Sequence, residues 1–192
     1  YPQTGIIASY GKRLLDWLKE YTFPEEKNFK NINYAKQIAS LTLDICIKNG
    51  TTTIASFCTT SPNSVDAIFD QAQKRNMCVV AGKTCMDRNA PEYLIDSVNS
   101  AYDDSKNLIK KWHNNNRAFY AITPRFAPTS SPEQLDSLGS LWSEFPDCLM
   151  QTHLSEQKEE IEWVKKLFPE AKNYLDIYDK FNLVKKNSIF GH

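Results

Sequence analysis

The sequence predicts an α/β fold built on a parallel sheet that closes into a (β/α) barrel. Short, nearly continuous apolar runs alternate with stretches of helical period, the pattern of repeated β-then-α units. No Gly-x-Gly-x-x-Gly or Gly-x-x-x-x-Gly-Lys loop follows any strand, which argues against a doubly wound nucleotide-binding sheet. The chemically able side chains fall instead at the carboxyl ends of several different strands, where barrels keep their sites. A complete barrel takes ~250 residues. With 192 residues and five clear strands, the chain is expected to be an incomplete barrel, one partial domain over 1–192.

The strands are expected at Thr52–Cys58, Cys78–Lys83, Phe119–Thr123, Cys148–His153 and Ser188–His192. Between them, Ile38, Leu41 and Ile45 form a helical stripe that stops at Gly50. Val65, Ile68, Phe69 and Ala72 form the next, N-capped by Ser61 with Pro62 in the first turn. Leu108, Ile109 and Trp112 mark a helix ending in the polar run Asn114-Asn115-Asn116. Ser131-Pro132-Glu133-Gln134 has capping-box spacing ahead of Leu135, Leu138 and Trp142. Ile161, Val164 and Phe168, then Tyr174, Ile177 and Tyr178, close the series.

Composition excludes several function classes. Lys+Arg and Asp+Glu both number 23, so no basic face for nucleic acid is implied. The five cysteines are scattered with no Cys-x-x-Cys pair, which fits reduced thiols and a cytoplasmic setting. No apolar run reaches the ~20 residues of a membrane span. The chain lacks an initiating Met and opens within a motif, so it is expected to be an internal piece of a longer protein.

The densest chemistry lies in Gln151-Thr152-His153-Leu154-Ser155-Glu156: a strand ending on His, then a Glu expected to open a helix. His192 ends another apolar run in the same way. Two of the three histidines thus sit at strand ends, as candidate metal ligands beside a carboxylate that can move protons. Two imidazoles do not complete a ligand set. Thr123-Pro124-Arg125-Phe126-Ala127-Pro128 restrains Arg125 in a rim loop, where its planar fork suits a carbonyl or anion and Phe126 offers a stacking face. The loop Gly82 to Asn89 is also rich in polar groups, but Cys85 has no nearby His and reads as a buried thiol. His113, at a helix C-terminus, reads as a solvated residue. The four tryptophans read as core or rim packing.

Taken together, Gln151–Glu156, Ile122–Phe126, Gly82-Lys83-x-Cys85-Met86-Asp87, Asn173–Asp179 and Ile189–His192 resemble the guanine deaminase family, a branch of the amidohydrolase superfamily of metal-dependent (β/α)8 TIM-type barrels. The likeness runs the length of the chain, over strands after the first through about the sixth. It implies zinc-dependent hydrolytic deamination of guanine to xanthine and ammonia at one Zn2+ per intact site, by an aminohydrolase acting on a cyclic amidine C–N bond. It also implies a small-molecule purine substrate, no nucleic acid or membrane partner, and a homodimer for the full-length protein.

Carried over residue by residue, the resemblance makes His153 and His192 metal ligands and Glu156 the proton shuttle. His153 counts among the catalytic and substrate-contacting residues as well. Gln3, Arg125 and Phe126 would bind the purine. The family's His-x-His pair would precede Tyr1 and its metal-binding Asp would follow His192, so the 192 residues alone are expected to be inactive. Two other readings stay open: a related amidohydrolase acting on another amino- or chloro-heterocycle, and a non-catalytic scaffold of the same fold.

Overall fold

The computed structural model describes residues 1–11 and 13–192. Five strands, β1 (Thr53–Phe57), β2 (Cys78–Gly82), β4 (Ala118–Pro124), β5 (Leu149–His153) and β6 (Ser188–Gly191), pair in the order β1-β2-β4-β5-β6, all parallel. The two-residue strand β3 (Thr84–Cys85) resumes the pairing of β2 with β4 in the same register. The break between them falls at Lys83, just after Gly82, where a Cβ would lie 1.7 Å from the carbonyl oxygen of Ala121, so only glycine admits the approach.

The sheet is curled, and one side chain demonstrates it. Gln151 Nε2 on β5 donates to the Ser56 carbonyl on β1 at 3.0 Å, and lies 3.2 Å from Thr123 Oγ1 on β4. In a flat sheet β1 and β5 would stand about 14 Å apart, three strand spacings. A glutamine side chain bridges them only across the concave face of a barrel wall.

Helix α3 (Ile32–Lys48) leads into β1, helices α4 (Pro62–Lys74), α5 (Val98–Trp112), α6 (Pro132–Glu144), α7 (Lys158–Leu167) and α8 (Tyr174–Lys180) return the chain between strands, and the main core lies between these helices and the sheet. Fully buried Val65, Ile68 and Phe69 of α4, Leu135 and Leu138 of α6, and Met150 of β5 belong to it. Among the described residues no helix is long and apolar enough to cross a membrane.

Several local expectations are corrected. In α3 the buried residues are Ala35, Ile38, Ala39 and Leu43, while Leu41 and Ile45 are 48% and 43% exposed. Both sets have helical spacing, and the partner helix α4 selects the face whose alanines allow close approach. Ser61 occupies the N-cap of α4, but its side chain makes no cap bond; Pro62 is in the first turn as expected. Ser131 Oγ does accept the Gln134 N–H, at 3.1 Å. The reciprocal half of that box is missing, because the Ser131 N–H is held by Asp87 Oδ1 at 2.7 Å.

Beyond Gln3 and Trp17, the sequence assigned no element to the first 30 residues. They form a 3-10 turn (Pro2–Ile6), helices α1 (Leu14–Trp17) and α2 (Phe23–Glu26) joined by a π-helical turn (Leu18–Thr22), and a 3-10 turn Lys27–Lys30. A second apolar cluster seats this segment on the carboxyl end of the strands: Leu14, Leu18, Phe23, Met86, Leu94 and Phe126.

Candidate active site

Parallel strands deliver their last residues to one end of the sheet, and register then decides who meets whom. His153, the last residue of β5, pairs with Gly191 of β6, so His192 emerges one residue further on the neighbouring strand. The two imidazoles lie near-parallel, ring centroids 5.7 Å apart. His153 also stacks on Phe57, the last residue of β1, at 4.0 Å.

The tautomer of His153 follows from its bonds. Its Nδ1 lies 2.8 Å from the Arg125 carbonyl oxygen, which also accepts the His153 backbone N–H at 3.1 Å. A carbonyl only accepts, so Nδ1 carries the proton and Nε2 keeps its lone pair. Burial pushes the ring down to about 4, against the opposing effect of the Arg125 hydrogen bond. At neutral pH it is an uncharged imidazole, the form a metal needs.

Glu156 does not open the helix, as the sequence suggested. It lies in the loop ahead of α7, whose first residue is Lys158, and Ser155 turns the chain there with a φ of +59°. Buried Glu160 holds this loop from below: Oε2 accepts the N–H groups of Glu156 at 2.8 Å and Gln157 at 3.1 Å, and Oε1 accepts the Tyr174 hydroxyl at 2.7 Å. Glu156 Oε2 is 3.7 Å from His192 Nε2. Burial lifts the Glu156 carboxyl above the usual carboxylate range, with His192 acting in the opposite sense. Such a group accepts a proton more readily than an ordinary surface carboxylate.

Arg125 follows β4 but is not an open rim residue: it is only 6% exposed. Its Nη1 donates to both oxygens of Glu26, at 2.8 and 2.9 Å, and its guanidinium lies over the Phe23 ring at 5.4 Å. Phe126 is buried beside it, and Gln3 stands exposed on the 3-10 turn at the rim.

These residues share one cavity of about 250 Å³, lined by Gln3, Arg125, Phe126, His153, Glu156 and His192 together with Leu14, Trp17 and Leu18. All six site residues expected from the sequence therefore line one space. Trp17 was expected as core or rim packing, but Leu14, Leu18 and the Glu26 partner were not foreseen. Leu14, Trp17 and Leu18 have i, i+3, i+4 spacing that could have flagged a helix, and the Leu14 N–H docks on Gln157 Oε1 at 3.0 Å. Glu26 lies 99 residues from Arg125 and had no local signal.

Other polar groups are committed to the scaffold. Lys83 is fully buried and paired with Asp96 at 2.5 Å. Cys85 is buried, with its thiol pushed up to about 11 by burial. Asp87 accepts from both the backbone and the hydroxyl of Ser131, and Asn89 donates to the Pro128 carbonyl at 2.7 Å. All five cysteines are free thiols.

His113 is corrected from solvated to structural. Its side chain is 6% exposed, Nδ1 accepts the Tyr120 N–H at 3.0 Å, and Nε2 faces Asp147 Oδ2 at 3.2 Å. With Asp147 and Cys148 it makes a group of three ligand-type side chains within 4.8 Å, at the amino end of β4 and β5. As a metal site it fails chemically: Nδ1 is engaged by a backbone donor, which leaves the proton on Nε2. The His153 and His192 pair has the better donor set, because a bare Nε2 on neutral His153 is oriented by a backbone carbonyl as metal-bound histidines are.

The sequence model of the Amidohydrolase family matches residues 3–192. Guanine deaminase of Escherichia coli (strain K12) is 48% identical over all 192 residues, and its solved structure superposes with a TM-score of 0.97. The crystal structure of guanine deaminase from Bradyrhizobium japonicum matches at 43% identity and a TM-score of 0.97, covering 100% of this chain and 41% of that one. That of guanine deaminase from C. acetobutylicum, with guanine bound in its active site, matches at 38% identity and 0.90, covering 94% of this chain and 43% of that one. The chain spans 44% of the length of the E. coli protein. These neighbours share the barrel fold expected from the sequence.

Proposed function

The chain belongs to the amidohydrolase family, and from that premise we propose that it forms the purine pocket and half of the metal centre of a guanine deaminase. The observation that carries the reading is the convergence of Gln3, Arg125, Phe126, His153, Glu156 and His192 on one small cavity. The similarity to guanine deaminases, one of them with guanine bound, supports the substrate.

In this reading guanine lies against Phe126 under the roof of Leu14, Trp17 and Leu18. Arg125 donates hydrogen bonds to its carbonyl, and Gln3 pairs with a polar edge. A pocket of fixed donors rejects analogues lacking the matching acceptor, because its own groups would be left unpaired. His153 and His192 would hold a divalent ion, zinc in our reading, which supplies Lewis-acid activation of the attacking water. Glu156 takes a proton from that water as the oxygen bonds to the carbon bearing the amino group. It delivers this proton to the adjacent ring nitrogen and moves the next to the departing amine, so guanine and water yield xanthine and ammonia. The roof limits competing water at the reacting carbon.

The test is turnover by the intact protein on a panel of guanine, adenine, cytosine and a chloro-triazine. Guanine is expected to lead by at least tenfold in kcat/KM, about 1.4 kcal/mol of transition-state preference. Preference for the chloro-triazine would replace this reading with hydrolysis of another heterocycle.

A further inference from the structure

Glu26 is 3% exposed and reaches Arg125 from a helix 99 residues away, with both carboxylate oxygens on one guanidinium nitrogen. Among the described residues the Arg125 Nη2 and Nε make no hydrogen bond, yet Arg125 lines the cavity. A buried carboxylate against a buried guanidinium cancels its charge while leaving its remaining N–H groups available. An unpaired arginine in the same place would attract anions first. Phe23, three residues before Glu26, supports the guanidinium face and limits its rotation.

We propose that Glu26 is a positioning residue that aims the free edge of Arg125 into the cavity and neutralises it, so that the site selects a neutral carbonyl over an anion. The anion arm rests on geometry alone. The carbonyl arm rests on the guanine reading above.

The experiment compares wild-type intact protein with Glu26→Gln, and with Glu26→Gln in an Arg125→Gln background. Benzoate, a planar anion, is titrated calorimetrically into metal-stripped protein, and guanine kinetics are measured on metal-loaded protein. Glu26→Gln is expected to tighten benzoate roughly tenfold, a gain that vanishes without Arg125, and to raise KM for guanine roughly tenfold with kcat changed less than about threefold. Unchanged benzoate affinity in folded Glu26→Gln overturns the proposal, as does a gain that persists without Arg125. Should Glu26→Gln not fold, Glu26→Asp carries the test. Its carboxylate is withdrawn by one methylene, and an unchanged KM there overturns the proposal. Tightened benzoate in a protein that leaves guanine untouched supports the role of Glu26 and removes guanine as the substrate, so the two readings fail separately.

Discussion

The carbonyl oxygen of Arg125 receives the Nδ1–H of His153 at 2.8 Å, so one residue orients a candidate metal ligand through its backbone while facing the cavity with its side chain. Neighbouring parallel strands make this economy available: β4 ends just before Arg125 and β5 ends on His153. A side-chain substitution at Arg125 leaves the carbonyl in place. The part of the Arg125 side chain in the cavity and the orientation of His153 are therefore separable by mutation.

Arg125→Lys in the intact protein is expected to raise KM for guanine and weaken discrimination against purines lacking the carbonyl, with metal content unchanged. Lysine keeps the charge but loses the planar fork that engages Glu26 and the cavity together. Steady-state kinetics with metal analysis checks it. An unaltered KM with a lowered melting temperature would make Arg125 structural.

Glu156→Gln in the intact protein is expected to cut kcat by roughly 10²-fold or more, because an amide cannot shuttle a proton. Glu160 and the backbone of the 154–157 loop are untouched, so guanine binding and metal content should hold. Retention of most of the turnover would remove Glu156 from the chemistry.

Zinc titrated into the 192-residue chain is expected to bind weakly and give no guanine turnover, since two imidazoles and one nearby carboxylate form an incomplete ligand set. His153→Ala or His192→Ala should weaken binding roughly tenfold or more. His113→Ala should leave it unchanged, its Nδ1 being committed to the Tyr120 N–H. Calorimetry decides; loss of binding in the His113 variant alone would move the metal to the opposite end of the sheet.

Lys83→Met is expected to destabilise the chain by about 3 kcal/mol at neutral pH, the cost of stranding a buried charge. Burial already raises the Asp96 carboxyl above its usual value, opposed by Lys83, so losing Lys83 raises it further. A carboxyl raised in the folded state takes up protons on folding, so folding is favoured as pH falls through that raised value. The deficit should therefore shrink toward acid pH. Urea melts at neutral and acid pH check it, and a deficit independent of pH would show that Asp96 stays ionised without its partner.

What the sequence determined by itself is whatever depends on local period and strand-end placement. Apolar runs of strand length between 3.6-period stripes predicted parallel β-then-α units, and all five strands appear within a residue or two of their expected bounds. Strand-end placement predicted a convergence too: in a parallel sheet the residues that finish β4, β5 and β6 come to one end, and Arg125, His153 and His192 line one cavity there. Tertiary structure decided what period leaves degenerate or what lies far apart in the chain. The buried face of α3 passed over Leu41 and Ile45 because its neighbour accepts the alanine face. His113 became a structural bolt because β4 offered a backbone donor and the start of β5 a carboxylate. The roof over the cavity and the Glu26–Arg125 pair arose only when residues 14–26 folded back over strand ends roughly a hundred residues later. Burial and ion pairing are properties of the assembled surface, and no spacing along the chain encodes them.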